Sequence, residues 1–202
     1  IGAYRGGWSK LAAEVIPSAS FIMFEANADH ESALAVTGRR YFITALGAQN
    51  AAANAFHLPK SGDASGASLY VEQTSHYASS NLMTRMLPTS RLDTLVEQNR
   101  LERPDMIKID VQGAELEVLA GAPHTLDHCQ ALIAELSFLA YNEGAPLFAE
   151  VLRKIVDHGF APVDICELHR GRNGLVMQAD LLLVRPSWLA RYGAAAGMIQ
   201  AP

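Results

Sequence analysis

The chain has 202 residues, enough for one domain with a substantial core, and half of them are hydrophobic while 18% are charged, a balance that argues against disorder. A net charge of −5, with sixteen Lys and Arg residues scattered along the chain, argues against a nucleic-acid partner, which calls for a basic face. No apolar run approaches the roughly 20 residues that cross a bilayer, no signal-peptide pattern opens the chain, and Cys129 and Cys166 form no CxxC pair, so the expectation is a cytoplasmic enzyme without a membrane partner.

The first segment, Ile1-Gly2-Ala3-Tyr4-Arg5-Gly6-Gly7-Trp8-Ser9, reads as a glycine-rich turn running into a helix. Trp8, Leu11, Ala12 and Val15 recur at helical spacing until Pro17 stops the run. Residues 21–24 form a short aromatic and branched apolar run, predicted as a strand buried on both faces. A helix over 30–36 and a strand over 41–45 follow. Residues 48–90 show no helical period; they read as a hairpin insertion with flexible connections and strand-like pieces at 55–58 and 68–71, serving as part of a substrate lid. Leu92, Leu95 and Val96 mark a helix, 106–110 a strand, 115–120 a short helix stopped by Gly121 and Pro123, and 131–136 a further strand. Pro146 opens a helix whose apolar residues repeat through Val156, with Gly159 as its cap. Strands at 161–168 and 176–184 are linked too briefly for a parallel crossover and must pair antiparallel; a tail helix spans 188–198. The sum is a single α/β domain over residues 1–202, with a mostly parallel sheet closed by a C-terminal antiparallel pair.

Three segments carry candidate chemistry. The glycine turn lets the backbone approach a ligand at a helix N-terminus, although GAYRGG departs from the dinucleotide pattern GxGxxG; a plain tight turn is the alternative. Glu25, at the end of the next strand, is placed to accept both ribose hydroxyls of a nucleoside ligand, or else is a surface carboxylate. In Ile107-Lys108-Ile109-Asp110-Val111-Gln112-Gly113-Ala114-Glu115, strand alternation sets Lys108 and Asp110 on one face. Charges in a central strand need partners or a function, and Glu135 is the candidate partner for Lys108; a structural ion pair is the alternative. His124 and His128 share a helical spacing but have no third ligand nearby, so no metal site is expected.

These motifs resemble the FkbM family of S-adenosylmethionine-dependent methyltransferases over nearly the whole chain. The matching residues are Arg103-Pro104-Asp105, the block 107–115, Glu135, Gly159-Phe160, Gln178-Ala179-Asp180-Leu181-Leu182, the Gly2-Ala3-x-x-Gly6 turn, Phe24-Glu25 and Arg91-Leu92-Asp93-Thr94-Leu95. The resemblance implies a Rossmann-like class I methyltransferase fold, S-adenosylmethionine as cofactor, and methyl transfer to a hydroxyl of a sugar or secondary metabolite. It implies that Gly2, Ala3 and Gly6 hold the methionine part and Glu25 the ribose, with Tyr4, Ala26, Asn27, Leu46, Val111 and Gln112 completing the cofactor site. Asp110 would lie near the sulfonium and act as general base, supported by Lys108 and Glu135. Tyr4 stands where the family usually has Asn. The strand that should lead into the glycine turn, and its terminal acid, do not precede Ile1. The expectation is that the coding sequence continues upstream with about four to six apolar residues, and that the chain alone folds poorly and binds little cofactor. Two other classes compete: a nicotinamide-dependent oxidoreductase, which would want a fuller GxGxxG, and a non-catalytic relic kept as a binding module.

Overall fold

The computed structural model describes residues 1–195. In chain order the elements are α1 (Gly7–Val15), β1 (Ile22–Glu25), a 3-10 turn (Ala28–His30) running into α2 (Glu31–Ala35), β2 (Arg40–Ile43), β3 (Ala45–Leu46), β4 (Ala51–Pro59), β5 (Leu82–Ser90), α3 (Leu92–Gln98), β6 (Met106–Ile109), α4 (Glu115–Ala120), α5 (Pro123–His128), β7 (Ala131–Ser137), α6 (Phe148–Asp157), β8 (Ala161–Arg170), β9 (Val176–Val184) and α7 (Pro186–Ala195).

Among the described residues the strands form three bonded groups, ordered β1-β2, β3-β5-β4 and β6-β7-β9-β8. Pairs β1/β2, β3/β5 and β6/β7 are parallel, while β4/β5, β7/β9 and β8/β9 are antiparallel. The architecture is therefore a mixed α/β fold, with more antiparallel pairing than the mostly parallel sheet read from the sequence. The C-terminal pair is antiparallel as expected, and β9 lies between β7 and β8, antiparallel to both. The first residues stitch two groups together. The N–H groups of Gly2 and Ala3 donate to the Phe24 carbonyl at 2.9 and 3.0 Å, the Ile1 amine donates to the Lys108 carbonyl at 2.8 Å, and the Asp110 N–H donates to the Ile1 carbonyl at 3.2 Å.

Strand alternation sorts the β6-β7-β9 surface into two chemistries. Ile107, Ile109, Leu132, Ala134, Leu136, Ala179, Leu181 and Leu183 are buried on one face and share a core with Val118, Leu119, Leu126, Val151 and Ile155 of α4, α5 and α6. Each of the Val, Leu and Ile side chains among them contributes about 1.5–3 kcal/mol on removal from water, so this face anchors the fold. Lys108, Asp110, Glu135, Gln178 and Asp180 fall on the opposite face by the same alternation. The ends of these elements are tied by Arg185. Its guanidinium donates to the carbonyls of Leu126, Cys129 and His158 at 2.6, 3.1 and 2.6 Å and lies 4.1 Å from the Phe160 ring centroid.

Several expected elements shift. Helix α1 forms, but Trp8, Leu11 and Val15 are exposed and Ser9 is its buried residue, so its apolar stripe lies on the surface. The region 48–90 contains two nine-residue strands, β4 and β5, and residues 68–71 contribute only the bridge between Ser68 and His57. Pro123, read as a stop, also begins α5, where its missing N–H leaves no helical bond unmade. Helix α6 starts at Phe148 with Leu147 as N-cap, just beyond Pro146. The tail helix is described to Ala195, and the remainder of its expected span lies outside the described residues. Among the described residues no helix is long and apolar enough to cross a membrane.

Candidate active site

A cavity of about 540 Å³ opens where β1, β3, β6 and β7 end, within the range of small-molecule sites. Carboxyl ends of strands are where open α/β sheets take ligands. Gly2, Ala3, Tyr4, Glu25, Ala26, Leu46, Asp110, Val111, Gln112 and Glu135 line it. Gly6, Asn27 and Lys108 do not line it and act on the residues that do. Residues 64–69 with Glu72 and Thr74, all from the connection between β4 and β5, form the facing wall, so the insertion supplies part of the site.

The glycine turn is built for close approach. Gly2 has φ +71°, and a Cβ there would sit 1.7 Å from the Asp110 carbonyl oxygen, which no side chain survives. Tyr4 also adopts positive φ, at 50°, and its N–H donates to Glu25 Oε2 at 2.7 Å. The Asn27 N–H donates to Glu25 Oε1 at 2.8 Å, so one carboxylate oxygen holds the glycine turn and the other the turn after β1. Each oxygen keeps a lone pair for a ligand hydroxyl. Burial is the dominant influence on Glu25 and pushes its carboxyl above the usual range, opposed by the N–H groups of Asn27 and Tyr4. Asn27 is buried and accepts from the Asp29 N–H at 3.1 Å and from Arg85 at 3.3 Å, fixing the turn after β1. Gly6, at φ 78°, is the N-cap of α1. At Tyr4, the position where the resemblance led to an expectation of Asn, the hydroxyl donates to Asp63 Oδ1 at 2.7 Å, and the ring meets His30 edge-on at 4.4 Å. The departure thus ties the glycine turn to the β4–β5 connection.

Beside the turn lies a polar network. Lys108 Nζ is 2.9 Å from Asp110 Oδ2 and 3.2 Å from Asp180 Oδ2. The ammonium therefore pairs with these two aspartates, and not with Glu135 as the sequence suggested. Register explains the exchange: Glu135 and Asp180 sit opposite one another on β7 and β9, and Asp180 is the one turned to Lys108. Glu135 Oε2 instead accepts from the side-chain amides of Gln112 and Gln178. Gln112, at φ 54°, also donates to Asp110 Oδ1 at 2.9 Å and accepts from the Tyr141 hydroxyl at 2.7 Å. The Asn142 amide donates to the Gln112 carbonyl at 2.7 Å.

Electrostatics drive Asp110 and Glu135 in opposite directions. Burial works to raise Asp110, but the Lys108 charge and the hydrogen bonds from Lys108 and Gln112 outweigh it and hold the carboxyl below its ordinary range. Burial also works to lower Lys108, and the adjacent Asp110 and Asp180 raise it instead. Glu135 moves the other way: burial, then the negative charges of Asp110 and Asp180, push its carboxyl far up. Tyr141 is raised by burial and by Glu135. Tyr141, Gln178 and His169 line the cavity and were not singled out from the sequence as site residues. Gln178 and Asp180 alternate with Met177, Ala179 and Leu181 along β9, and that polar alternation inside an apolar strand was their available signal.

The cavity at the strand ends, floored by a glycine turn and bordered by buried carboxylates, lies where open α/β sheets take their ligands, a mixed α/β arrangement compatible with a methyltransferase-like fold. The chain belongs to the methyltransferase FkbM domain family, whose model matches residues 1–162. Most of β8 and all of β9 lie beyond that match. None of the curated proteins matches the chain at a significant level.

Proposed function

We propose that this chain binds S-adenosylmethionine in the strand-end cavity and methylates a hydroxyl of a small sugar or secondary metabolite. The observation that carries the reading is the arrangement of Glu25, the Gly2–Tyr4 turn and Asp110 around one cavity. Glu25 would receive the ribose hydroxyls, with Ala26 beside it. Leu46 and Val111 offer apolar walls to the base and thioether, and Gly2 and Ala3 leave room for the methionine part. The cofactor, when bound, supplies an electrophilic methyl group. The protein's own work is alignment of the acceptor oxygen and removal of its proton.

Asp110 is the residue for that proton. Lys108 and Gln112 keep it ionised and fix both of its oxygens. A carboxylate held this low is a weak base, but the proton of an alcohol becomes strongly acidic as methyl transfer proceeds, so a weak base at the right place suffices. Glu135 and Lys108 position Asp110 through Gln112 and the direct ion pair. Calorimetric titration with S-adenosylhomocysteine and NAD⁺ tests the reading. Binding of the first and not the second is expected on this reading, in place of the weak binding expected from the sequence, because residues 1–3 already bond to the ends of β1 and β6. Binding of NAD⁺ alone, or of neither by the folded chain, would overturn it.

A further inference from the structure

The face of β6, β7, β9 and β8 that borders the cavity holds more acid than base. Asp110 and Asp180 share one ammonium, that of Lys108, and Glu135 stands beside them without a cationic partner of its own among the Lys and Arg of the described residues. Pairing across β7 and β9 sets Glu135 opposite Asp180, and pairing across β8 and β9 sets His169 opposite Gln178, two residues along the same strand face. One donor atom from each of Glu135, His169 and Asp180 consequently lies within 4.8 Å of the other two. Asp180 is only 6% exposed, and its Oδ1 has no hydrogen-bond partner. An unsatisfied carboxylate oxygen in such a place is costly and asks for a cation or a donor.

We propose that Glu135, His169 and Asp180 bind one divalent transition-metal ion. Two carboxylate oxygens with one imidazole nitrogen suit Zn²⁺, Mn²⁺ or Fe²⁺, whereas Mg²⁺ and Ca²⁺ favour oxygen alone. His169 Nε2 is 3.7 Å from Glu135 Oε1. Ligands at about 2.1 Å from a metal are roughly 3.0–3.4 Å apart in octahedral or tetrahedral sites, so the pair needs only a small contraction. The other oxygens are already engaged: Asp180 Oδ2 faces Lys108, and Glu135 Oε2 accepts from Gln112 and Gln178. Such outer partners aim first ligands at an ion. His169 is half-exposed, which gives an ion a way in.

Three protein ligands leave coordination positions open, and Glu135 and His169 both line the cavity. On the methyl-transfer reading, and only on it, those positions would take an acceptor with two neighbouring oxygens, such as a vicinal diol. Ion binding itself does not depend on that reading.

The test is titration of chelator-treated protein with Zn²⁺ by calorimetry and with Mn²⁺ by electron paramagnetic resonance. One ion per chain is expected. His169→Ala and Asp180→Asn should each weaken binding by at least about tenfold, since loss of even an outer-shell partner costs about 10–100-fold. Glu14→Gln, on the exposed side of α1, should bind as the wild type does. His169→Ala alters a half-exposed side chain and keeps the fold, so it carries the test if Asp180→Asn does not express. Absence of stoichiometric binding, or affinity unchanged in folded His169→Ala, would overturn the proposal. S-adenosylhomocysteine titration of the same metal-free sample reports separately on the methyl-transfer reading.

Discussion

Replacing Glu115 by glutamine is expected to stabilise the protein above neutral pH and to change it little in acid. Glu115 opens α4 and is only 3% exposed, with Oε1 accepting the Gly113 N–H at 3.1 Å. Burial is the largest influence and raises its carboxyl from the ordinary 4.5 to about 7, against the backbone N–H groups that favour the charged form. A folded value above the unfolded one means that the protonated acid favours the fold. Its contribution is complete below 4.5 and is lost as pH rises through about 7. That gap, at about 1.4 kcal/mol per pH unit, is about 3 kcal/mol. For a chain of this size the equivalent rise in Tm is about 6–12 °C. Near pH 5 the same relation leaves under about 1 kcal/mol. Urea denaturation of wild type and Glu115→Gln at about pH 5 and about pH 8.5 measures both ends. A variant no more stable than wild type at the higher pH would show that the N–H groups, and not burial, govern this carboxylate.

Three further outcomes follow from the site. Glu25→Ala should weaken S-adenosylhomocysteine binding about 10- to 150-fold, the scale of charged hydrogen bonds; calorimetry that finds unchanged affinity in a folded variant removes Glu25 from the cofactor site. Asp110→Asn should cut turnover roughly 10²–10⁴-fold while leaving cofactor affinity within a few-fold, and turnover close to wild type would make Asp110 a positioning residue only. Lys108→Met strands Asp110 and Asp180 without their shared ammonium and should destabilise the metal-free protein by about 3–5 kcal/mol. A loss below about 1 kcal/mol in urea denaturation would mean that solvent already screens the cluster.

The parts of the fold legible in the sequence are those where burial imposes a simple period. Ile107 and Ile109 alternate with Lys108 and Asp110, and α6 repeats its apolar residues at helical spacing, because each element has one face in the core. Strand β5 was missed because neither of its faces is cleanly apolar, as its exposed Met86 and half-buried Arg85 illustrate. The glycine turn and Glu25 could be read locally, since φ beyond +20° and a strand-end carboxylate leave marks in the residue types themselves. The partners of Lys108 could not. Whether Asp180 or Glu135 receives the ammonium depends on the β7–β9 register, and that register is set by a strand at the far end of the chain. Tyr141 and His169 were hidden for the same reason: each reaches the cavity from a segment whose own pattern carries no sign of it.

The clasp made by Arg185 bears on how the molecule opens. It directly follows β9 and reaches back to carbonyls in the last turns of α5 and α6, the groups a helix end leaves without internal partners. The end of β9 cannot lift from the sheet without freeing three acceptors and uncovering the Phe160 ring. Amide protons in β9 and in the final turns of both helices should then exchange with solvent as one cooperative unit, although they come from segments far apart in sequence. Strand β8, an exposed edge outside the clasp, should exchange earlier and alone. Exchange of that kind would make the stretch beyond the family match part of the same opening event as the helices within it, through a single guanidinium.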